Sequence, residues 1–254
     1  MLVYYMSPRI TKVNWVLLLL GLIWRSVVDF CFPKFCLGCS RPGNYICRRC
    51  AATRLTPYYV PQCHVCRHEA RRGLVHKDCE DKSYLDGVIV SYVYSELIEK
   101  LVAAVKYKFY FDIIGEIAPL IFQSWRTQTL SGLADAVITY VPAHPYRERW
   151  RGFNQARLLA ERLAALTGNK CLGLLERNRY NQSQVGQGRM SRLENLHGAF
   201  VINAQFRDNL PQHVVLVDDV MTTGSTLEQC ARALKNVGVQ RVYGMVFARG
   251  GYGS

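Results

Sequence analysis

The chain has 254 residues, half of them apolar, enough to bury a sizeable core in one large domain or a large domain with a small companion. Its 32 Lys and Arg stand against 19 Asp and Glu, a formal net charge of +13, so nucleic acid, phosphorylated ligands and anionic lipid are the partners that charge favours. Ten cysteines argue for disulfides only in a short secreted chain; here three pairs share a two-residue gap, which points to metal chelation and a reducing, cytoplasmic compartment.

In chain order, Arg9 and Lys12 precede the apolar run WVLLLLGLIW at 15–24. The run is shorter than the ~20 residues that span a bilayer. It is interrupted by Arg25 and Asp29, and no small-residue cleavage site follows. Residues 1–30 therefore read as an apolar helical segment packing on the rest of the protein, with a membrane-surface anchor as the alternative.

Residues 31–82 hold most of the cysteines, are broken by Pro33, Pro42, Pro57 and Pro61, and carry no sustained period, as expected of a module held by metal. Cys36/Cys39, Cys47/Cys50 and Cys63/Cys66 supply six thiolates, and His76/Cys79 repeats the same gap. Because zinc takes four ligands, the natural partition is Cys36, Cys39, Cys47 and Cys50 for one Zn2+ and Cys63, Cys66, His76 and Cys79 for another. A cross-braced arrangement would use the same eight. Closed, cysteine-rich sets are structural. Cys31 and Cys230 read as free buried thiols.

From residue 83 the texture changes. YLDGVIVSYVY at 84–94 reads as a strand, Ser95 as the cap of a helix through Val105, and Ile113 to Trp125 as a second helix. AVITYV at 136–141 is a strand stopped by Pro142, and Gln155–Thr167 is a helix stopped by Gly168. Residues 176–198 form a long Arg-rich polar loop, with Arg177, Arg179, Gln182, Gln184, Arg189 and Arg192 suited to phosphate. VVLV at 214–217 is a buried strand followed by a turn, Thr226 to Val237 a helix, and VYGMVFA at 242–248 the last strand. Strands alternating with helices imply a parallel α/β sheet flanked by helices over 83–254.

VVLVDDVMTTGST at 214–226 concentrates the chemistry. Two adjacent carboxylates at a strand end repel each other and need hydroxyl donors, such as a sugar diol, or a cation such as Mg2+. Thr222, Thr223, Gly224, Ser225 and Thr226 lead into a helix N-terminus, where free N–H groups favour an anion. Acids followed by an anion cradle describe ribose 5-phosphate. The bland alternative, a capped Asp-Asp turn, accounts for one hydroxyl rather than four. Upstream, VPAHPYRERWRGFNQA at 141–156 offers Arg147, Arg149 and Arg151 beside Gly152, either a pyrophosphate-binding loop or the solvated start of a basic helix. Phe153 and Tyr180 are aromatics that stack a base or simply pack.

The 214–226 stretch resembles the phosphoribosyl-pyrophosphate signature of type I phosphoribosyltransferases. By that resemblance Asp218 and Asp219 hold the ribose hydroxyls and Thr222–Thr226 wraps the 5-phosphate. Together with RGFNQA after VP, VKYKF at 105–109, the 177–200 stretch and the cysteine module, the chain resembles the ComF/GntX family. That family's module resembles a double zinc ribbon, with His76 standing where a Cys is usual. The resemblance implies a type I phosphoribosyltransferase fold, a phosphoribosyl pyrophosphate ligand with Mg2+, and a role in natural competence and the handling of single-stranded DNA beside other competence proteins. Two functions follow. One is a transferase in which Asp218 and Asp219 orient the sugar while Arg147 and Arg151 neutralise pyrophosphate. The other is a module without turnover that binds single-stranded DNA or a protein partner.

Overall fold

The computed structural model describes residues 33–108, 110–127, 133–177 and 199–250. The expectations for residues 1–30 and Cys31, and for Arg179, Tyr180, Gln182, Gln184, Arg189 and Arg192 of the long loop, lie outside the described residues.

Among the described residues four parallel strands make the central sheet: β1 (Gly87–Val93), β2 (Val137–Tyr140), β5 (His213–Met221) and β6 (Arg241–Arg249), in the order β1-β6-β5-β2. β3 (Leu175–Arg177) and β4 (Phe200–Ile202) pair antiparallel as a separate two-stranded ribbon at the two ends of the long Arg-rich segment. Strands of three residues carry too little periodicity to be seen in sequence. Among the described residues the α-helices are α1 (Arg48–Arg54), α2 (Glu96–Lys108), α3 (Ile113–Thr127), α4 (Pro145–Arg151), α5 (Gln155–Thr167) and α6 (Ser225–Lys235).

The alternation of side chains along β5 divides the core. Val215 and Val217 face one side, packing with Ile138, Met245 and Phe247 against α2, α3 and α5. Val214 and Leu216 face the other, where Val246, the α6 residues Leu227, Cys230, Ala231 and Leu234, and the ribbon residues Leu175 and Phe200 close the second layer. Every one of Val214–Val217 has no exposed surface, as a strand covered on both faces requires.

The reading of β5 is corrected at one point. The strand does not end at Val217 in a turn; it runs through Asp218, Asp219 and Val220 to Met221, held by the ladder Asp218↔Val246, Val220↔Ala248 and Met221↔Arg249. β6 is nine residues long and continues to pair after the apolar run of β5 is exhausted. Two acids interrupt hydrophobicity without interrupting a backbone whose amides have a partner. The basic segment is likewise a short helix, α4, capped by the His144 side chain and ended by Gly152 in the left-handed region (φ 77).

The cysteine module has almost no apolar core of its own. Its second half buries Cys63, Ala70 and Cys79 as a small separate cluster, and its first half joins the large core through Cys36, Ile46, Cys50 and Leu55.

Candidate functional site

The carboxyl ends of the sheet strands are where a parallel α/β sheet opens to ligands. There, the end of β2, the starts of α4 and α5, the end of α2 and the acids of β5 enclose a cleft of about 230 Å³. Asp218, Asp219, Thr226, Arg147 and Arg151 all line it. A smaller cavity of about 40 Å³ adjoins it, formed by Asp218 and the turn Thr222–Thr226. Asp218 and Thr226 line both, so the two cavities meet at these residues and Asp218 borders the hydroxyl turn. Arg149 lies outside that lining. Phe153 is partly buried, its ring edge-on to Phe111 at 6.2 Å, so packing is its role.

Because adjacent strand residues point to opposite faces, the two acids meet different surroundings. Asp219 faces the α2 side, where Lys106 Nζ lies 2.7 Å from its carboxylate. Asp218 faces the hydroxyl turn and accepts the Asp219 backbone N–H at 2.8 Å. Burial, and after it the neighbouring Asp219 charge, push the Asp218 carboxyl up to about 8, against the pull of that N–H and of Lys106. An acid held that high lacks a partner that would stabilise its charge, and hydroxyl or cation donors in the cleft would supply one.

The turn is shaped for an anion. Gly224 takes a left-handed conformation (φ 84) as the cap of α6, with Met221 packed 3.4 Å from where a Cβ would stand. Thr222 and Thr223 are exposed, and Thr223 Oγ1 donates to Ser225 Oγ at 3.1 Å and accepts the Ser225 N–H at 3.4 Å, at the N-terminus of an eleven-residue helix, an end that favours an anion. Across the cleft, Arg151 stacks its guanidinium over the Tyr107 ring at 5.5 Å, and its buried Nε has no acceptor among the described residues. A buried guanidinium donor without an acceptor fits an anionic ligand. Arg177, at the end of β3, lies over the Phe200 ring at 5.4 Å and also lines the cleft. Burial, then Arg177, Arg147 and Arg149, push the His144 imidazole below its ordinary value, so it is neutral at pH 7.

Three contributors were not singled out in sequence. Lys106 sits within VKYKF, but only the fold brings α2 beside β5. Asn154, in RGFNQA, is buried; its Nδ2 donates to Val141 O at 3.0 Å while its Oδ1 accepts from Ala156 N and Arg157 N, joining the end of β2 to the start of α5. The third is His64, between Cys63 and Cys66, whose ring reaches Glu228 on α6.

The eight candidate metal ligands gather in sequential rather than cross-braced order: Cys36, Cys39, Cys47 and Cys50 in one group, Cys63, Cys66, His76 and Cys79 in the other, with ligand atoms within 4.8 Å of one another in each. Two of the three Cys-x-x-Cys pairs, Cys36/Cys39 and Cys63/Cys66, share a backbone turn. Ser40 and Arg67, each just after the second Cys, have φ 60 and φ 64, and each donates its N–H back to the carbonyl of the first Cys. Despite burial, backbone N–H groups lower the Cys36 and Cys63 thiols to about 6, whereas burial and the neighbouring thiols push Cys50 to about 12 and Cys79 to about 11. Four crowded sulfurs cannot all ionise without a cation, and a zinc ion is the partner this donor set fits. A Cβ on Gly38 would stand 2.9 Å from Cys50 Sγ, so the first knuckle has room for Gly alone.

Residues 151–253 match the family model described as phosphoribosyl transferase domain. The chain is 28% identical to Competence protein F of Haemophilus influenzae over 82% of its own length and 86% of that protein's, and 26% identical to Competence protein ComFC of Bacillus subtilis over 78% and 81%. It is 32% identical to DNA utilization protein YhgH of Salmonella typhi over 59% of this chain and 66% of that one. Fold, site and matched domain define a phosphoribosyltransferase-like protein. Within that class the chain belongs to the ComF family. Among the described residues no helix is long and apolar enough to cross a membrane.

Proposed function

We propose that the cleft binds phosphoribosyl pyrophosphate, or a related ribose 5-phosphate, and that the protein acts in DNA uptake during natural competence, as its relatives' names suggest. One observation carries the ligand assignment: Asp218 faces the hydroxyl turn Thr222–Thr226 around a shared space whose far wall holds the unpartnered Arg151 Nε. The turn and the N-terminus of α6 would take the 5-phosphate, Asp218 and Asp219 the ribose hydroxyls, and Arg147 and Arg151 the pyrophosphate. Mg2+ would arrive with the pyrophosphate, since Asp219 is already compensated by Lys106. In a transferase of this kind these residues act by holding the sugar and stabilising the departing pyrophosphate rather than by covalent chemistry.

The experiment is calorimetric titration with phosphoribosyl pyrophosphate and Mg2+, in the wild type and in the double variant Asp218→Asn, Asp219→Asn. Micromolar binding that falls by about 100-fold or more in the variant supports the assignment. Equal binding in both proteins refutes it.

A second reading, a module without turnover that binds single-stranded DNA, is favoured by a separate observation. Tyr107, Phe111, Tyr146 and Trp150 are each more than half exposed beside Lys106, Lys108, Arg147 and Arg149, an interleaving of rings and cations that suits stacked bases and a phosphate backbone. Affinity for an oligonucleotide that drops steeply with salt and survives the double Asn substitution would support it.

A further inference from the structure

One carboxylate joins the second cysteine cluster to the turn of the proposed sugar-phosphate site. Glu228 lies in the first turn of α6, where its backbone N–H donates to Gly224 O at 2.9 Å and so closes the helix end that the hydroxyl turn leads into. Its side chain points away from the cleft. Oε1 lies 2.6 Å from His64 Nε2 and accepts from Ser83 Oγ at 2.6 Å, and Oε2 accepts from Tyr84 N at 2.8 Å. Although burial works the other way, the contacts from His64, Ser83 and Tyr84 hold the carboxyl below its usual range. His64 is buried and stands between Cys63 and Cys66 in the second knuckle, while Ser83 and Tyr84 follow Cys79 in the chain. A second tie runs beside it. Arg249, at the end of β6 and paired in the ladder with Met221, donates to His64 O at 3.5 Å.

Ser83, His64 and Glu228 do not form a hydrolytic triad. The same imidazole nitrogen meets both partners, Nδ1 has none among the described residues, and the serine hydroxyl is directed at the carboxylate and at Leu85 O. A relay needs the two ring nitrogens to face base and nucleophile separately. The arrangement is a joint.

We propose that the second cluster and the sugar-phosphate site are energetically coupled through Glu228: a zinc ion on Cys63, Cys66, His76 and Cys79 fixes the hydroxyl turn from behind, and a phosphorylated sugar in the turn in turn slows the release of that zinc. The proposal rests on the reading of Thr222–Thr226 as the phosphate site. Linkage makes the two affinity changes equal, and the proposed coupling places the gain in metal affinity in slower release. Glu228 is a positioning residue, remote from the ligand itself. The first cluster provides an internal control, because it docks elsewhere: Tyr45 N and Ile46 N donate to Glu116 on α3, far from α6.

The test follows zinc release from the zinc-loaded full-length protein into a colorimetric chelator, with and without ribose 5-phosphate, with occupancy by the sugar phosphate measured in parallel by calorimetry. Two release phases are expected, one slowed about fivefold by the ligand and one unaffected. Glu228→Gln removes the ligand's effect and weakens ribose 5-phosphate binding; Glu116→Gln speeds the insensitive phase and leaves the ligand's effect intact. Should Glu228→Gln not fold, Ser83→Ala, which removes one donor to the same carboxylate, shrinks the effect instead. Bound ribose 5-phosphate with both phases unchanged overturns the coupling and leaves the proposed ligand standing. An undiminished effect in Glu228→Gln or Ser83→Ala overturns the route through this carboxylate. Failure of the zinc-loaded wild type to bind phosphoribosyl pyrophosphate or ribose 5-phosphate overturns the reading of the turn and the coupling together.

Discussion

The cysteine module and the sheet domain are organised by opposite means. The sheet domain encloses two apolar layers, and residues such as Ile138, Leu216 and Met245 have no exposed surface. The second half of the module buries three residues as a cluster of its own and depends on one four-ligand group and on a carboxylate reaching across from α6, while the first half is also held by a carboxylate from α3. Where apolar burial is plentiful, one lost contact costs a fraction of the total; where it is scarce, the metal and a few ionic joints carry the structure. The difference locates sensitivity: the module should respond as a whole to a single ligand, and the domain in proportion to the volume removed.

The largest effect follows from breaking the module. Cys63→Ser, or treatment with a strong chelator, is expected to open residues around the second cluster to proteolysis almost completely, while the sheet domain still melts cooperatively; limited digestion followed by mass spectrometry reads the cut sites. A module that stays protected after zinc removal would erase the contrast. Next, Leu216→Ala should destabilise the sheet domain by about 3 kcal/mol, lowering Tm by several degrees in calorimetry, with zinc content unchanged. Loss of zinc alongside would show that the two regions share one cooperative unit. Glu116→Ala removes the acceptor of two backbone N–H groups and should cost about 1 to 2 kcal/mol, read as faster zinc release from the first cluster.

The smallest effect concerns pH. A carboxyl raised to about 8 in the folded protein keeps a proton that the unfolded chain gives up near pH 4. The folded state therefore binds more protons between those values, and this residue's contribution to stability falls as pH rises from about 4 to about 8, then levels. Asp218→Asn, free of that cost, should gain on the wild type across the window, the difference in Tm widening from little at pH 4 to its full extent at pH 8. A gap that narrows with rising pH would mean the acid is compensated in the folded protein.

Much of this was legible in sequence wherever the determining interactions are local. The apolar run Val214–Val217, the Gln155–Thr167 helix with its Gly168 stop, and the two-residue cysteine gaps announce themselves in short stretches of sequence. Three features were not. The continuation of β5 past Val217 depends on β6, which supplies backbone partners for residues whose side chains read as a turn. The ribbon of β3 and β4 is too short to show a period. The joint between His64 and Glu228 spans 164 positions, and neither residue departs locally from the pattern of its own segment. All eight candidate ligands could be paired off by spacing, whereas the surface on which each cluster rests could not.

The alternation along β5 carries one more consequence. Since Val214 to Val217 lock their faces by shape, they also fix which acid looks toward the hydroxyl turn and which toward Lys106. Removing a single residue from that apolar run would force a choice: keep the packing in each apolar layer and displace the acids, or keep the acids and exchange which layer each apolar side chain must fill. The strand thus acts as a ratchet with a step of two, and lineages that retain the pocket should tolerate exchanges within it far more readily than insertions or deletions.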